Sequence, residues 1–170
     1  MTDLDHVALV VVEVQQGFDD AESWGPRNNP ECESNIAELI AAWRDAARPV
    51  FVRHDSREQG SPLSPDSRGN AFKEVITGEP DLLVAKSVHS AFLGSPDLAA
   101  WLREQGCDGI AVCGITTSHC CETTARAGSD IGFDVLSALD ATHAFDSGGL
   151  SADQLARATA ANLHGAANLH

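Results

Sequence analysis

Gly109-Ile-Ala-Val-Cys-Gly-Ile-Thr-Thr-Ser-His-Cys-Cys-Glu-Thr-Thr-Ala-Arg126 holds the decision about the fold. Gly109 to Cys113 is a short, continuous apolar run, as in a strand buried on both faces. Gly114-Ile-Thr-Thr117 reads as a turn, and a helix is predicted from about Ser118 to Ala127. A buried strand that turns directly into a helix is half of a strand–helix–strand unit. Strands joined in that way are parallel, with right-handed crossovers.

The same alternation extends in both directions. Ala8-Leu-Val-Val-Val-Glu-Val14, Pro49-Val-Phe-Val-Arg53, Leu82-Leu-Val-Ala-Lys86 and Phe133-Asp-Val-Leu-Ser137 are further strands. Glu31 to Arg48 is a helix, with Ile36, Leu39, Ile40 and Trp43 at helical spacing. Ser95-Pro96 is predicted to open another helix, with serine as cap and proline in the first turn, running to Gln105 and stopping at Gly106. Ser151-Ala-Asp-Gln154 is a capping box that opens the last helix. Leu163 to His170 is short for a sixth strand. The expected architecture is a Rossmann-like three-layer α/β/α sandwich around a mainly parallel sheet of five to six strands. Its 170 residues suit one domain, residues 1–170.

Composition narrows the partners. The formal net charge is −14 and the isoelectric point is near 4.6. Nucleic acids and anionic membranes both need a basic surface, so neither is an expected partner. Met1-Thr2-Asp3-Leu4-Asp5 lacks the positive start of a signal peptide. No apolar run approaches the roughly 18 residues of a membrane span. A cytoplasmic protein is expected. Its cysteines, Cys32, Cys107, Cys113, Cys120 and Cys121, include no Cys-x-x-Cys pair and are expected to be free thiols.

Two long segments interrupt the alternation: Phe18 to Pro30, and His54 to Pro80 with three prolines and three glycines. Loops of that length are usually functional. Both follow carboxyl ends of strands, the edge that carries the ligand site in open α/β sheets. Three polar residues stand at that edge: Glu13 ends the first strand, Lys86 ends the third, and Cys120 follows the fourth. Charges at buried strand ends must be paired. A structural ion pair satisfies Glu13 and Lys86 alone, and core packing satisfies Cys120 alone. Cys120 in the first turn of a helix, with unpaired N–H groups and a nearby lysine, is expected instead to have a depressed thiol pKa. Cys121 lies about 100° further around the helix and is expected to pack.

Val-Val-Glu13-Val-Gln15-Gln-Gly-Phe18, Lys86-Ser-Val-His-Ser-Ala-Phe92 and Gly114-Ile-Thr-Thr-Ser-His-Cys120-Cys-Glu-Thr-Thr-Ala-Arg126 together resemble the isochorismatase-like cysteine hydrolases. That superfamily includes nicotinamidases, N-carbamoylsarcosine amidase and ureide-cleaving amidohydrolases, and the resemblance covers nearly the whole chain. It implies a catalytic triad of carboxylate, Lys86 and Cys120. The family aspartate is replaced here by Glu13, a displacement of the carboxylate by roughly 1.5 Å. It also implies a cis peptide at Ile115–Thr116 and an oxyanion hole made by the N–H groups of Thr116 and Cys120. The isochorismatases proper cleave a vinyl ether without a nucleophilic cysteine, so Cys120 favours the amidase branch.

The implied activity is hydrolysis of a small amide, lactam or carbamoyl compound, with Glu13 as acid and base. A binding or regulatory protein, weakened by the glutamate, is the alternative. A redox pair of Cys120 and Cys121 would need a strained ring. Phe18, Trp24, Phe72, His89, Phe92 and His119 are expected pocket residues. Some members hold a metal through Asp-x-His-x-His; here His54-Asp55-Ser56-Arg57 stands in that region, so no metal and no other cofactor is expected. A homodimer or homotetramer is implied.

Overall fold

The structure is a computed structural model and describes residues 4–46 and 49–167. Five strands form one sheet: β1 (Val7–Val12), β2 (Pro49–His54), β3 (Leu82–Lys86), β4 (Gly109–Ile115) and β5 (Asp134–His143). Their order is β3-β2-β1-β4-β5, and every pairing is parallel. The helices are α1 (Ala21–Trp24), α2 (Cys32–Ala46), α3 (Leu98–Glu104), α4 (Glu122–Asp130) and α5 (Ala152–Ala167). None among the described residues is long and apolar enough to cross a membrane.

The two-residue period of β1 divides the core. Ala8, Val10 and Val12 face one layer with Val50, Val52, Val84, Leu98, Leu102 and Ile110. Leu9 and Val11 face the other with Ile36, Ile40, Trp43, Phe51, Ala111 and Ile115. Each buried aliphatic side chain contributes about 1.5–3 kcal/mol. β1 is central and buried on both faces, which is why it reads as an unbroken apolar run. The order reverses between β1 and β4: the chain first builds toward β3, then returns to add β4 and β5 on the other side. That switch opens a crevice at the carboxyl ends of β1 and β4.

Several expected boundaries move. Ser95 does not cap a helix. It pairs with Ala85 beside β3 through two 2.9 Å backbone bonds, and the Ser95–Pro96 peptide is cis. Asp97 is the cap of α3, accepting from the Ala100 N–H at 3.0 Å. The expected helix from Ser118 begins instead as a π turn, Thr117–Cys121, which continues into α4. β5 runs to His143, well past Ser137. Leu163 to Ala167 continues α5, so no sixth strand forms there, and 168–170 lie outside the described residues. Of the expected helix end, Ala47 and Arg48 also lie outside them.

Candidate active site

Backbone geometry aims four strand ends at one point. β1 stops because Glu13 takes a left-handed conformation, φ 51°, which glutamate rarely adopts. Its N–H still donates to Val52 O at 2.8 Å, so the residue leaves the sheet one ladder bond late and turns inward. Strain of this kind persists where the surroundings over-determine it. β2 ends at His54, β3 at Lys86. β4 ends through Gly114, φ 122°, where a Cβ would collide with the Val12 backbone. The Ile115–Thr116 peptide that follows is cis, and the π turn then carries Cys120.

Lys86 sits at the centre. Its Nζ donates to Glu13 Oε1, to the Val88 carbonyl at 2.6 Å and to Cys120 Sγ at 3.6 Å. The Lys86 side chain is fully enclosed and Glu13 is 2% exposed. His54 Nδ1 lies 2.9 Å from the same Glu13 oxygen and 3.3 Å from Lys86 Nζ. Buried Gln15 fixes His54 from behind: its Oε1 accepts from the His54 N–H at 2.8 Å, and its Nε2 donates to the His54 carbonyl at 3.0 Å. Asn70 Nδ2 donates a second bond to that carbonyl at 3.1 Å.

These contacts set the charges. Burial alone would raise the Glu13 carboxyl, but the His54 hydrogen bond and the Lys86 ammonium together hold it below its ordinary value. The Cys120 thiol is not depressed as expected from its helix position. Burial pushes it up, the Glu13 carboxylate pushes it further, and Lys86 only partly offsets them. The reason is packing: Cys120 and Cys121 both belong to the buried cluster on the β1–α3 side of the sheet. Cys120 at rest is therefore a thiol, with a carboxylate and an ammonium beside it. Cys121 is raised well above its ordinary value by burial first and then by Cys120.

The cluster opens on a cavity of about 580 Å³. Phe18, Trp24 and Phe145 form one wall, with Trp24 stacked on Phe145 at 5.6 Å and tilted on Phe18 at 4.9 Å. Trp24 Nε1 is anchored to the Gly17 carbonyl at 2.8 Å. His89 and His119, stacked on each other at 5.9 Å, also line it. Thr116 and Cys120 lie at the floor. Phe72 and Phe92 are not pocket residues. Phe72 packs edge-on against Phe51, and Phe92 stacks on Phe133, both away from the cavity.

Comparison with known proteins places this arrangement. Residues 7–165 match the isochorismatase domain. The chain belongs to the isochorismatase family. The isochorismatase family protein YrdC of Bacillus subtilis is 36% identical over 140 residues, 81% of this chain and 74% of that protein. Nicotinamidase 3 of Arabidopsis thaliana is 30% identical over 171 residues, 92% of this chain and 79% of the relative. A solved isochorismatase family structure from Chromobacterium violaceum superposes with TM-score 0.86 at 36% identity, covering 94% of this chain and 85% of that one.

As an isochorismatase family member the chain is placed among hydrolases, and among the cavity residues that escape a reading of the sequence alone are His54 and Phe145. His54 reads only as a fragment of a metal motif, although it ends a strand on the same edge as Glu13 and Lys86. Phe145 lies beyond the expected end of β5, and only the longer strand brings it to the cavity. The metal question has a geometric answer. Donor atoms of Glu13, His54 and Cys120 lie within 4.8 Å of one another, a possible ligand set. Lys86 Nζ already bonds Glu13 and Cys120 and lies 3.3 Å from His54 Nδ1, so an ammonium takes the cation's place. The residues do not fit a resident metal.

Proposed function

We propose that this isochorismatase family member is a cysteine hydrolase that cleaves a small amide, lactam or carbamoyl C–N bond through a thioester on Cys120. One observation carries the reading: Lys86 Nζ bridges Glu13 Oε1 and Cys120 Sγ at the floor of an aromatic-walled cavity. Glu13 takes the thiol proton. That transfer removes the negative charge that opposed the thiolate and leaves Lys86 facing it. Cys120 Sγ attacks the substrate carbonyl carbon, and the N–H groups of Thr116 and Cys120 receive the oxyanion. Glu13 returns the proton to the leaving nitrogen as the C–N bond breaks. Water then hydrolyses the thioester. The identity to nicotinamidase 3 supports an amide substrate, and the cavity volume admits a small ring compound.

Incubation with a pooled amide library, followed by intact-mass measurement, tests this. A covalent acyl increment on the parent that is absent from Cys120→Ala is expected. Alkylation of Cys120 by iodoacetamide without turnover of any amide would favour a binding or regulatory protein, a reading that Glu13 in the family's aspartate position supports. Apolar Leu83, Val88 and Leu93 are exposed along and after edge strand β3. They support a homodimer or homotetramer, and light scattering reads the mass directly.

A further inference from the structure

We propose that His54 is a second catalytic group, the base that takes a proton from water when the Cys120 thioester is hydrolysed. The inference rests on the reading above and divides its proton transfers between two residues.

The hydrogen-bond count decides the tautomer. An ammonium has three donors. Those of Lys86 are directed at Glu13 Oε1, the Val88 carbonyl and Cys120 Sγ. None is left for His54 Nδ1, so Nδ1 carries the proton and donates it to Glu13 at 2.9 Å. Nε2 is then an acceptor, on a ring that lines the cavity. A carboxylate behind an imidazole fixes its tautomer and stabilises the imidazolium that forms. Gln15 and Asn70, bonded to both backbone groups of His54, hold the ring in place. Glu13 itself is a poor base for water. Its Oε1 is held by both His54 and Lys86, and it has already passed the thiol proton to the leaving nitrogen in acylation.

A water O–H bond breaks, its proton goes to His54 Nε2, and the hydroxide oxygen bonds the thioester carbonyl carbon. The tetrahedral intermediate collapses with cleavage of the C–S bond, and the electron pair stays on Cys120 Sγ. The proton on Nε2 passes to that thiolate. One ring nitrogen of His54 lies within 4.8 Å of Cys120 Sγ, so the imidazole and the sulfur border the same part of the cavity.

The test uses p-nitrophenyl acetate as acyl donor with the whole protein. The burst of p-nitrophenolate reads acylation, and the steady state reads deacylation. His54→Asn keeps an amide donor in the place of Nδ1 but has nothing at Nε2. It is expected to keep the burst within a few-fold while the steady state falls on the order of 10²–10⁴-fold. An acetyl increment should accumulate on Cys120 in the intact mass. His54→Ala should regain turnover when imidazole is added. Circular-dichroism melts identify a variant that fails to fold, in which case His54→Gln replaces it in the same assay. A burst and steady state that fall together, or a steady state that does not fall, would overturn the role of His54. A parent with no Cys120-dependent release of p-nitrophenolate would instead overturn the hydrolase reading, and this inference with it.

Discussion

The carboxyl ends of β1 to β3 and the carboxyl end of β5 both bury polar side chains, and they treat them in opposite ways. At the first, Glu13, His54 and Lys86 share one oxygen and four further bonds from Gln15, Asn70 and the Val88 carbonyl. At the second, His143 is 0% exposed, and neither ring nitrogen makes a hydrogen bond of good geometry among the described residues; a contact with the Ala144 backbone falls short of one. Its ring packs edge-on against Phe145 at 5.0 Å, behind the aromatic wall of the cavity. The difference separates two uses of burial. Saturated polar partners let charge exist and move in a dry place. An unpaired imidazole is tolerated only while it is neutral, so His143 acts as a spacer.

The largest effect belongs to the saturated cluster. Cys120→Ala removes the proposed nucleophile and little volume, so turnover should fall on the order of 10⁴-fold or more with the melting temperature nearly unchanged. Cys121→Ala, in the packed neighbour, should cost far less activity. Steady-state rates and melts of both variants check this, and the reverse ranking would mean that the wrong cysteine has been chosen.

Next is the carboxylate. Glu13→Gln keeps the shape and loses the ionisable group, so kcat/KM should fall on the order of 10²–10⁴-fold. Glu13→Asp restores the family residue and should keep measurable activity, although His54 and Lys86 are placed for the longer side chain. A Glu13→Gln enzyme as fast as the parent would make the carboxylate structural. If all three proteins are inactive while Cys120 still reacts with iodoacetamide, the binding-protein reading moves ahead.

What a sequence can disclose follows the same division. β1, β4 and the Ser151–Gln154 box were legible because their signals are local. Buried strands write continuous apolar runs, and Ser151 and Gln154 do exchange bonds of 3.2 and 2.9 Å. The far half of β5 was not legible. Ser137, Asp140 and Thr142 mark an edge strand that is only partly covered, with no clean period. The role of Ser95 depends on Ala85, ten residues away on another element, and no cap rule reports that pairing. Of the site, strand ends exposed Glu13, Lys86 and Cys120 because charge and thiol interrupt apolar runs. The thiol's direction of shift failed, since dipole and lysine are visible in the sequence and the depth of burial is not. His54 escaped because its meaning lies in the Glu13 oxygen it meets.

A pH series sharpens the comparison from the His143 side. Burial, then the Arg27 charge, lowers its pKa from 6.5 to about 4. Above pH 6.5 the ring is neutral both folded and unfolded. Between pH 6.5 and about 4 only the unfolded chain takes up the proton, so stability should fall with pH, by about 3 kcal/mol at the lower limit. His143→Leu removes the titration and both unsatisfied nitrogens. Denaturant midpoints for this variant should change less over the same range than those of the parent. Equal slopes for the two proteins would remove His143 from the pH response.

The smallest expected effect is none at all, and it concerns the cation at the centre of the saturated cluster. Chelator treatment should leave activity unchanged, because Lys86 Nζ bonds the Glu13 and Cys120 atoms that a metal would need and stands 3.3 Å from His54 Nδ1. A divalent ion would have to expel an ammonium whose other donor is held by the Val88 carbonyl, and would still lack the second histidine of the Asp-x-His-x-His pattern. Elemental analysis of the purified protein, with rates before and after dialysis against EDTA, measures this. Activity lost on dialysis and restored by zinc or manganese would show that Lys86 yields its place. Lys86→Met supplies the converse. It leaves the three donors facing one another with no cation between them, so zinc affinity should rise above that of the parent in a calorimetric titration. If the parent and Lys86→Met bind zinc equally, the ammonium is not what keeps a metal out of the cluster.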